Sequence, residues 1–211
     1  MRSDRIIKLL LALPLLGMMF GCKTEGTQLL LPVLGEKTFN GRDTVYHTVG
    51  SFSLVNQNGE PVTDKTLDGH IYIANFFFAT CQSICPEMST NLVDVQEAFK
   101  DADSVLIISH SVNPLHDTVE VLKAYAGSYG AISNKWHLLT GDKKQIYELA
   151  KSSYLVNALE DDGTPEGFLH SELFILVDAH KRLRGMYDGT DANEVKRLIE
   201  DVKVLRTEKQ S

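Results

Sequence analysis

The stretch IYIANFFFATCQSICPEM, residues 71–88, joins a long apolar run to two cysteines and a proline. The run is apolar and rich in aromatic residues, which is typical of a strand that is covered on both faces. Pro86 suits the first turn of a helix, and apolar side chains recur at helical spacing over 86–100. We therefore expect Cys81 and Cys85 where a central strand is followed by a helix N-terminus.

Strands and helices alternate along the rest of the chain. The predicted strands are two short ones on either side of the turn at Asn58 and Gly59, then residues 104–112, 136–139, 173–178 and 183–189, and the predicted helices begin near Asp117 and span 142–152 and 192–205. Glu120, three residues after Asp117, completes a capping pattern. Strands that alternate with helices imply a three-layer α/β domain with parallel crossovers.

A cysteine pair at the end of a central strand, against a helix N-terminus, is the arrangement of thioredoxin-like folds. The sequence therefore predicts an α/β protein with a thioredoxin-like fold: a central mixed sheet flanked by helices, with an N-terminal hairpin and a C-terminal strand pair plus helix. The helix dipole and free N–H groups are expected to lower the pKa of a thiol placed there. A lower pKa favours the thiolate that disulfide exchange and metal binding both need.

The first residues have the pattern of an export signal. Three basic residues precede the apolar run LLLALPLLGMMF, which is followed by Gly21 and Cys22. A cysteine after a small residue at this point predicts a lipoprotein signal peptide over 1–21, with lipidation of Cys22 as the first mature residue. Ordinary secretion, with Cys22 removed or left free, is the alternative. Lipidation predicts a cell-envelope location, anchored to a membrane and facing the periplasm or the cell exterior.

The remaining chain divides into three parts. Residues 22–50 are expected to be a tether that docks on a domain at 51–206, and residues 207–211 a tail. The formal charge is −7, and loss of residues 1–21, with three basic residues and one acidic residue, changes it to −9. An acidic mature domain argues against nucleic acid as a partner.

Cys81 and Cys85 are separated by three residues, and this spacing permits three kinds of chemistry. The pair can close a disulfide, exchange one with a partner, or bind a soft metal. Outside the cytoplasm, the metal-free pair is expected to rest as a disulfide. A peroxiredoxin site is disfavoured because the upstream Pro and Thr of such sites are missing, and a structural zinc site because paired ligand spacing is missing. A third histidine ligand would make a trigonal site that suits copper.

Seven histidines are candidates for that third ligand: His47, His70, His110, His116, His137, His170 and His180. His170 stands out slightly because it precedes an apolar strand and follows the acidic, Gly-containing loop EDDGTPEGF. This loop is long enough to fold back over the cysteines. Most histidines in proteins are surface or hydrogen-bonded residues, so position alone assigns none of the seven.

Four motifs along the chain resemble those of one family. They are TCQSICP at 80–86, SVNPLHDTVEVLKAYA at 111–126, HLLTGDKKQIYELAKSSYLV at 137–156 and LHSELFILVDAHKRLRGMYDGT at 169–190. With them, the chain resembles the Sco/SenC family of copper-binding, thioredoxin-like proteins that assist assembly of cytochrome c oxidase. In that family, two cysteines and a distant histidine before a strand ligate copper. The resemblance maps these ligands onto Cys81, Cys85 and His170, with copper as Cu(I) or Cu(II).

Four positions depart from the usual motif of that family. Gln82 and Ser83 stand where Pro and Asp are usual, and Leu169 and Asn113 stand where Asp is usual. These departures spare the three implied ligands but remove acidic groups near them, and such groups orient a ligating histidine. Asp117 keeps its place in the motif, and capping of a helix would suffice to explain it.

The resemblance implies a membrane-anchored copper chaperone that delivers copper to the dinuclear copper centre of cytochrome c oxidase. Its partners would be the copper-bearing subunit of that oxidase, other copper carriers and, through the lipid, a membrane. The rival function is enzymatic: a thiol:disulfide reductase that uses Cys81 and Cys85 as a redox pair on oxidase or other extracytoplasmic cysteines. A binding lipoprotein in which the same two cysteines form a structural disulfide is a third alternative.

Overall fold

The computed structural model describes residues 30–156 and 171–208. Its strands are β1 Lys37–Phe39, β2 Thr44–Tyr46, β3 Ser53–Asn56, β4 Pro61–Thr63, β5 Ile71–Phe77, β6 Val105–Ser111, β7 Trp136–Thr140, β8 Leu173–Val177 and β9 Leu183–Asp188. Its α-helices are α1 Cys85–Ala98, α2 Val119–Ser128, α3 Lys143–Glu148 and α4 Ala192–Thr207. A 3₁₀ helix covers Asp64–Leu67 and a π-helical turn covers Leu149–Ser153.

Two details of the helices differ from the prediction. The N-cap of α2 is Thr118, whose hydroxyl accepts a hydrogen bond from the backbone N–H of Val121 (3.4 Å). The prediction that Asp117 caps this helix is therefore wrong, because its carboxylate binds other groups, described below. The helix predicted over 142–152 is α-helical only as far as Glu148 and continues as the π-helical turn.

Seven strands form one mixed sheet in the order β4-β3-β7-β6-β5-β8-β9. The three strands β5, β6 and β7 are parallel to one another, and the other pairings in this sheet are antiparallel. Every residue of β5 and of β6 is buried. This agrees with the largely apolar sequence of β5, since a central strand covered on both faces has no polar side to present to water; its one amide side chain, Asn75, accepts a hydrogen bond from the Ser109 hydroxyl (2.6 Å).

Helices cover both faces of the sheet. On one face, the Tyr125 ring of α2 lies 5.1 Å from the Phe77 ring between centroids, and its hydroxyl is 2.7 Å from Ser89 Oγ of α1. Helix α4 packs beside α1. On the other face, the Tyr154 ring follows the π-helical turn and lies 5.7 Å from the Phe76 ring. Adjacent strand residues point to opposite faces, so Phe76 and Phe77 belong to different layers of the core.

The direction of the strands gives the sheet two distinct ends. Because β5, β6 and β7 are parallel, their carboxyl ends meet at one edge, here called the cysteine end because Cys81 follows β5. Strand β8 runs antiparallel to β5, with Val177 opposite Tyr72. Leu173 therefore begins β8 at the cysteine end. The opposite edge, where β8 turns into β9, is here called the tether end.

Residues 30–50 pack against the tether end. The backbone N–H of Leu34 donates to the carbonyl of Leu183 (2.8 Å), and that of Val49 donates to the carbonyl of Lys181 (2.9 Å). Between these two attachments, β1 and β2 form a separate antiparallel hairpin with largely exposed side chains. This hairpin lies within the expected tether, and the sequence does not predict it.

Arg184 is a buried cation at this attachment. Its guanidinium donates to the backbone carbonyls of Leu31 and Pro32 and forms ion pairs with Asp178 and Glu208. A buried charge requires both opposite charge and hydrogen-bond acceptors, and Arg184 finds both here. The arginine thus joins the beginning of the described chain to the end of α4. Within the described ranges, no helix has the length and apolar character needed to cross a membrane.

Candidate functional site

Cys81 and Cys85 lie at the cysteine end of the sheet, as the sequence predicts. Cys81 belongs to the loop after β5, where its backbone N–H donates to the carbonyl of Phe78 (3.2 Å), and Cys85 is the first residue of α1. Both residues are free thiols with relative exposures of 7% and 4%. The residues between them, Gln82 and Ser83 in particular, are exposed. The two sulfurs are therefore recessed beneath a loop that faces solvent.

The Cys81 thiol is the more acidic of the pair. Burial raises the pKa of this thiol, but hydrogen bonds from Ser83 and Cys85 outweigh burial and leave the pKa below its ordinary value. The Oγ atom of Ser83 lies 3.4 Å from the Cys81 sulfur. Ser83 thus supplies a neutral hydrogen-bonding group that stabilises the thiolate.

The Cys85 thiol is much less acidic. Burial raises its pKa to about 12, with the neighbouring Cys81 sulfur acting in the same direction and the Asp117 carboxylate adding a smaller rise. The expected lowering of a thiol pKa at this position is found for Cys81 but not for Cys85, because removal of Cys85 from water outweighs the helix dipole. At neutral pH, Cys85 is a protonated thiol beside a more readily ionised Cys81.

Asp117 supports the loop that carries Cys81. Its carboxylate is fully buried and accepts a hydrogen bond from the backbone N–H of Ala79 (3.0 Å) and another from the Ser111 hydroxyl (2.5 Å). Its second oxygen lies 2.9 Å from Nδ1 of His116. Because Ala79 is two residues before Cys81, Asp117 fixes the backbone from which that cysteine projects.

Sequence reasoning missed this role of Asp117. The available signal was topological: Asp117 follows β6, and the carboxyl ends of β5 and β6 meet at one edge if the two strands are parallel neighbours. The backbone N–H of Val112 continues this pairing by donating to the carbonyl of Phe77 (2.9 Å). Asn113 contributes its backbone carbonyl to the turn by accepting from the N–H of Asp117 (2.9 Å).

His170, the implied third ligand, lies outside the described residues, as do Cys22, the signal peptide and the loop before His170. Ser171, which directly follows His170, is buried, and its hydroxyl accepts from the N–H of Leu173 (3.3 Å). The chain at Ser171 thus enters β8 at the cysteine end. Within 30–156 and 171–208, no three side chains of His, Cys, Asp or Glu converge in a way that could hold a metal ion.

The other six histidines occupy positions with different surroundings. His47 contacts the Ser153 carbonyl (2.8 Å), His70 the Asp68 carbonyl (3.0 Å), His110 the Tyr154 hydroxyl (3.3 Å), His116 the Asp117 carboxylate and His137 the Asn56 amide (3.4 Å), while His180 is exposed. His180 follows β8 and lies at the tether end. His110 points to the sheet face that Tyr154 covers, so it belongs to the core.

The donor set of this loop suits a soft metal ion. Two sulfur atoms on one short loop can ligate copper together, and thiolate is a ligand that Cu(I) prefers. Burial excludes water from the sulfurs, and the difference in acidity means that a metal displaces at least the proton of Cys85. The same pair, without metal, has the parts of a dithiol that attacks disulfides: one ionisable sulfur and one protected sulfur.

Comparison with known proteins identifies relatives of this chain. The family model described as SCO1/SenC matches residues 40–206. A SCO1/SenC family lipoprotein from Bacillus anthracis str. Ames has a solved structure that is 30% identical, with a TM-score of 0.69, and the match covers 76% of this chain and 95% of that chain.

Two further solved structures are similar to this chain. BsSco, a member of the Sco family of cytochrome c oxidase assembly proteins in which a disulfide switch was identified, is 32% identical with a TM-score of 0.67, covering 77% of this chain and 95% of that one. Bradyrhizobium japonicum ScoI with copper bound is 28% identical with a TM-score of 0.60, covering 75% and 99%.

These neighbours confirm the thioredoxin-like α/β fold that the sequence predicts, including the mixed sheet, the N-terminal hairpin and the C-terminal strand pair with its helix. The matched region contains both cysteines and the strands that position them. The chain belongs to the SCO1/SenC family.

Proposed function

We propose that this protein is a lipid-anchored copper chaperone that takes part in the assembly of cytochrome c oxidase. The observation that carries the proposal is the pair of recessed thiols on one loop at the cysteine end, in a chain of the family to which a copper-bound ScoI belongs. Cys22 would carry the lipid, and a lipoprotein among the solved relatives supports this part. The recipient would be the copper-bearing subunit of the oxidase, at its dinuclear copper centre.

The copper ligands would be Cys81, Cys85 and His170. Ser171 lies where β8 begins at the cysteine end, so the residue before it is well placed in the chain to supply a third ligand. A three-coordinate site suits both Cu(I) and Cu(II). It also leaves room for a ligand from a partner to attach before the first ligands leave, which transfer of the ion requires.

A His170→Ala variant tests the third ligand. Loss of a hydrogen-bond partner that only orients a metal ligand typically lowers metal affinity by about 10–100-fold. Loss of the ligand itself should therefore weaken copper binding by at least about that factor. The measurement is a competition titration of the reduced protein with a copper chelator of known affinity. His180→Ala, an exposed histidine at the tether end, is the matched control and should bind like the wild-type chain. Equal affinities for both variants would remove His170 from the proposed site.

A thiol:disulfide reductase remains the second candidate, and the unequal acidity of the two thiols favours it. In this reaction the Cys81 thiolate attacks a partner disulfide, forms a mixed disulfide and releases one partner thiolate. Cys85 then gives up its proton, attacks the Cys81 sulfur and releases the second partner thiol. Two electrons pass to the partner, and Cys81 and Cys85 end as a disulfide.

Trapping of the mixed disulfide tests this order of attack. With a small model disulfide at pH 7, Cys85→Ser should accumulate an adduct on Cys81, because the second thiol that would release it is absent. Cys81→Ser should react at least about tenfold more slowly, because Cys85 is buried and far less ionised. Mass spectrometry over time measures both rates. If Cys81→Ser reacts as fast as Cys85→Ser, the assigned roles are wrong, and turnover of protein disulfides then decides whether any reductase activity exists.

A further inference from the structure

Residues 30–46 lie at the tether end, on the opposite edge of the sheet from Cys81. The N–H of Leu34 is bonded to the carbonyl of Leu183, and the Arg182 guanidinium, in the turn between β8 and β9, lies 5.7 Å from the centre of the Tyr46 ring. Both contacts join the segment to the edge where β8 ends. The hairpin β1–β2 is therefore attached far from the candidate copper site.

This segment exposes an unusual share of apolar side chains. In the part of the chain that the structure describes, five large hydrophobic residues are exposed, and three of them belong to it: Leu30, Phe39 and Val45. Single exposed hydrophobic residues are ordinary, but three of them within one segment of 17 residues indicate that the segment makes an apolar contact. Basic and acidic side chains within 36–46 cancel, two against two. Apolar contact, and not charge, is thus what this surface offers.

The hairpin presents its two apolar side chains in a particular way. Phe39 is paired with Thr44, and Val45 is paired with Thr38. Paired residues share a face and successive residues alternate, so Phe39 and Val45 lie on opposite faces of the ribbon. A flat protein surface would cover one of them only. A medium that surrounds the hairpin from both sides would cover both.

The length of chain between Cys22 and this segment limits how far the segment can lie from a lipid attached to Cys22. Leu31 lies nine positions after Cys22, and nine steps of fully extended chain span at most about 30 Å. Helix α4 runs from the cysteine end to the tether end, and its 16 residues are about 24 Å long. A lipid on Cys22 would therefore hold the tether end near the bilayer with slack, whereas the cysteine end could reach the bilayer only with the tether almost fully stretched.

We propose that Leu30 and the hairpin β1–β2 rest in the surface of the phospholipid bilayer, so that the cysteine end points away from the membrane. The plane of the hairpin stands upright on the bilayer, so that Phe39 on one face and Val45 on the other both contact the headgroup region. The seven residues of β5 then place the cysteines at least about 20 Å from the bilayer surface. This inference depends on the proposed lipid attachment at Cys22, and it predicts a recipient whose copper-accepting surface stands clear of the membrane.

Tryptophan quenching by brominated lipid tests the orientation. The chain has one tryptophan, Trp136, which is buried in the sheet. Phe39→Trp introduces a probe on the hairpin, and Leu115→Trp introduces a matched probe on an exposed loop at the cysteine end; the native side chains are 72% and 89% exposed. Each variant is isolated as the lipid-modified protein and reconstituted into phosphatidylethanolamine and phosphatidylglycerol vesicles that contain a phosphatidylcholine with dibrominated acyl chains.

After subtraction of the wild-type emission, which comes from Trp136, we expect the Phe39→Trp emission to fall by about twofold in brominated relative to unbrominated vesicles, since an interfacial side chain lies within reach of the acyl chains. Leu115→Trp should show no more quenching than the wild-type chain. High salt should leave both results unchanged, because the contact is apolar. Unquenched Phe39→Trp on vesicle-bound protein, or equal quenching of both probes, would overturn the orientation.

Flotation of the isolated membrane-derived protein with the vesicles separates lipid attachment from orientation. If the wild-type chain does not float, attachment at Cys22 is wrong. Residues 23–211 with an N-terminal hexahistidine tag are then held on vesicles with nickel-chelating lipid, and the two probes are compared again. Selective quenching of Phe39→Trp in this arrangement supports the membrane contact of the hairpin by itself, and its absence refutes that contact.

Discussion

Replacement of Asp117 by Ala is expected to lower the free energy of unfolding by about 3 kcal/mol, because it leaves buried hydrogen-bond donors without an acceptor. These donors are the backbone N–H of Ala79 and the hydroxyl of Ser111. Copper affinity should fall by about 10–100-fold in the same variant, since Asp117 fixes the backbone before Cys81 and so orients a proposed ligand without binding the metal itself. Urea denaturation of the reduced apo-protein and chelator competition measure the two effects.

Asp117→Asn separates hydrogen bonding from charge. The amide oxygen can accept from Ala79 and Ser111 while the NH₂ group faces Nδ1 of His116, so we expect a loss of about 1 kcal/mol, in the range of one hydrogen bond. Asp142→Ala is the matched control, because that exposed carboxylate also accepts a backbone N–H, from Gln145 (2.7 Å), but at a helix N-cap. It should cost about 1 kcal/mol and leave copper affinity unchanged.

The role assigned to Asp117 in holding the Cys81 loop would be contradicted if Asp117→Ala were at least as stable as Asp142→Ala and bound copper as tightly as the wild-type chain. If Asp117→Ala fails to fold, the comparison of Asp117→Asn with the wild-type chain still measures the effect on copper.

His110→Phe is expected to make the protein more resistant to acid. The His110 imidazole is fully buried, and burial lowers its pKa from 6.5 to about 3. It stacks on Phe76 with 5.2 Å between ring centroids and meets Phe52 edge-on at 5.9 Å. Within the described ranges, its Nδ1 atom has no hydrogen-bond partner. A proton on this ring would therefore be a buried charge without compensation.

The direction of the effect follows from the two protonation states. In the unfolded chain the imidazole binds a proton near pH 6.5, whereas in the folded protein it stays neutral down to about pH 3. Between these values the unfolded state holds more protons, so the His110 contribution to stability is complete above pH 6.5 and is lost as the pH falls toward 3. At pH 4.5 this loss amounts to about 3 kcal/mol.

Urea denaturation at pH 7 and pH 4.5 measures this contribution as a difference. The wild-type chain should lose about 3 kcal/mol more than His110→Phe between the two pH values, because the titration of the carboxylates is common to both proteins. His180→Phe, at an exposed histidine, should lose as much as the wild-type chain. An identical pH difference in all three proteins would show that His110 is not held neutral by the fold.

The sequence predicts the central part of the fold because the relevant signals are local. The apolar run of β5, the proline at the beginning of α1 and the helical spacing after it all act within a few residues. The position of Cys81 and Cys85 follows directly from them. For the same reason, the strand pair and helix near the C-terminus are predicted within a few residues of their observed bounds.

The parts that the sequence does not predict depend on contacts between distant residues. The local sequence suggests that Asp117 is a helix cap. Its carboxylate instead accepts from the backbone N–H of Ala79, 38 residues earlier, and a contact over that distance leaves no local signal. The raised pKa of Cys85 follows from packing, which outweighs the local effect of a helix N-terminus. The hairpin β1–β2 lacks a buried face, so its alternation is weak, although Asn40 and Gly41 at its turn are a hairpin signal that could have indicated it.

Helix α1 gives the two sulfurs different mechanical freedom. Cys85 belongs to a helix that is fixed to α2 by Ser89 and to the end of β9 by Asn91, whose side chain donates to the carbonyl of Gly189 (2.7 Å). Cys81 lies on the connecting loop. A disulfide requires the sulfurs to be about 2.05 Å apart, and two ligands of one copper ion stand farther apart, so under the proposed function passage between these states would displace the loop more than the helix. Because Gln82 and Ser83 are exposed on that loop, its outer shape would then report on the state of the sulfurs, and a recipient that docked there would distinguish a loaded carrier from an oxidised one before any ligand is exchanged.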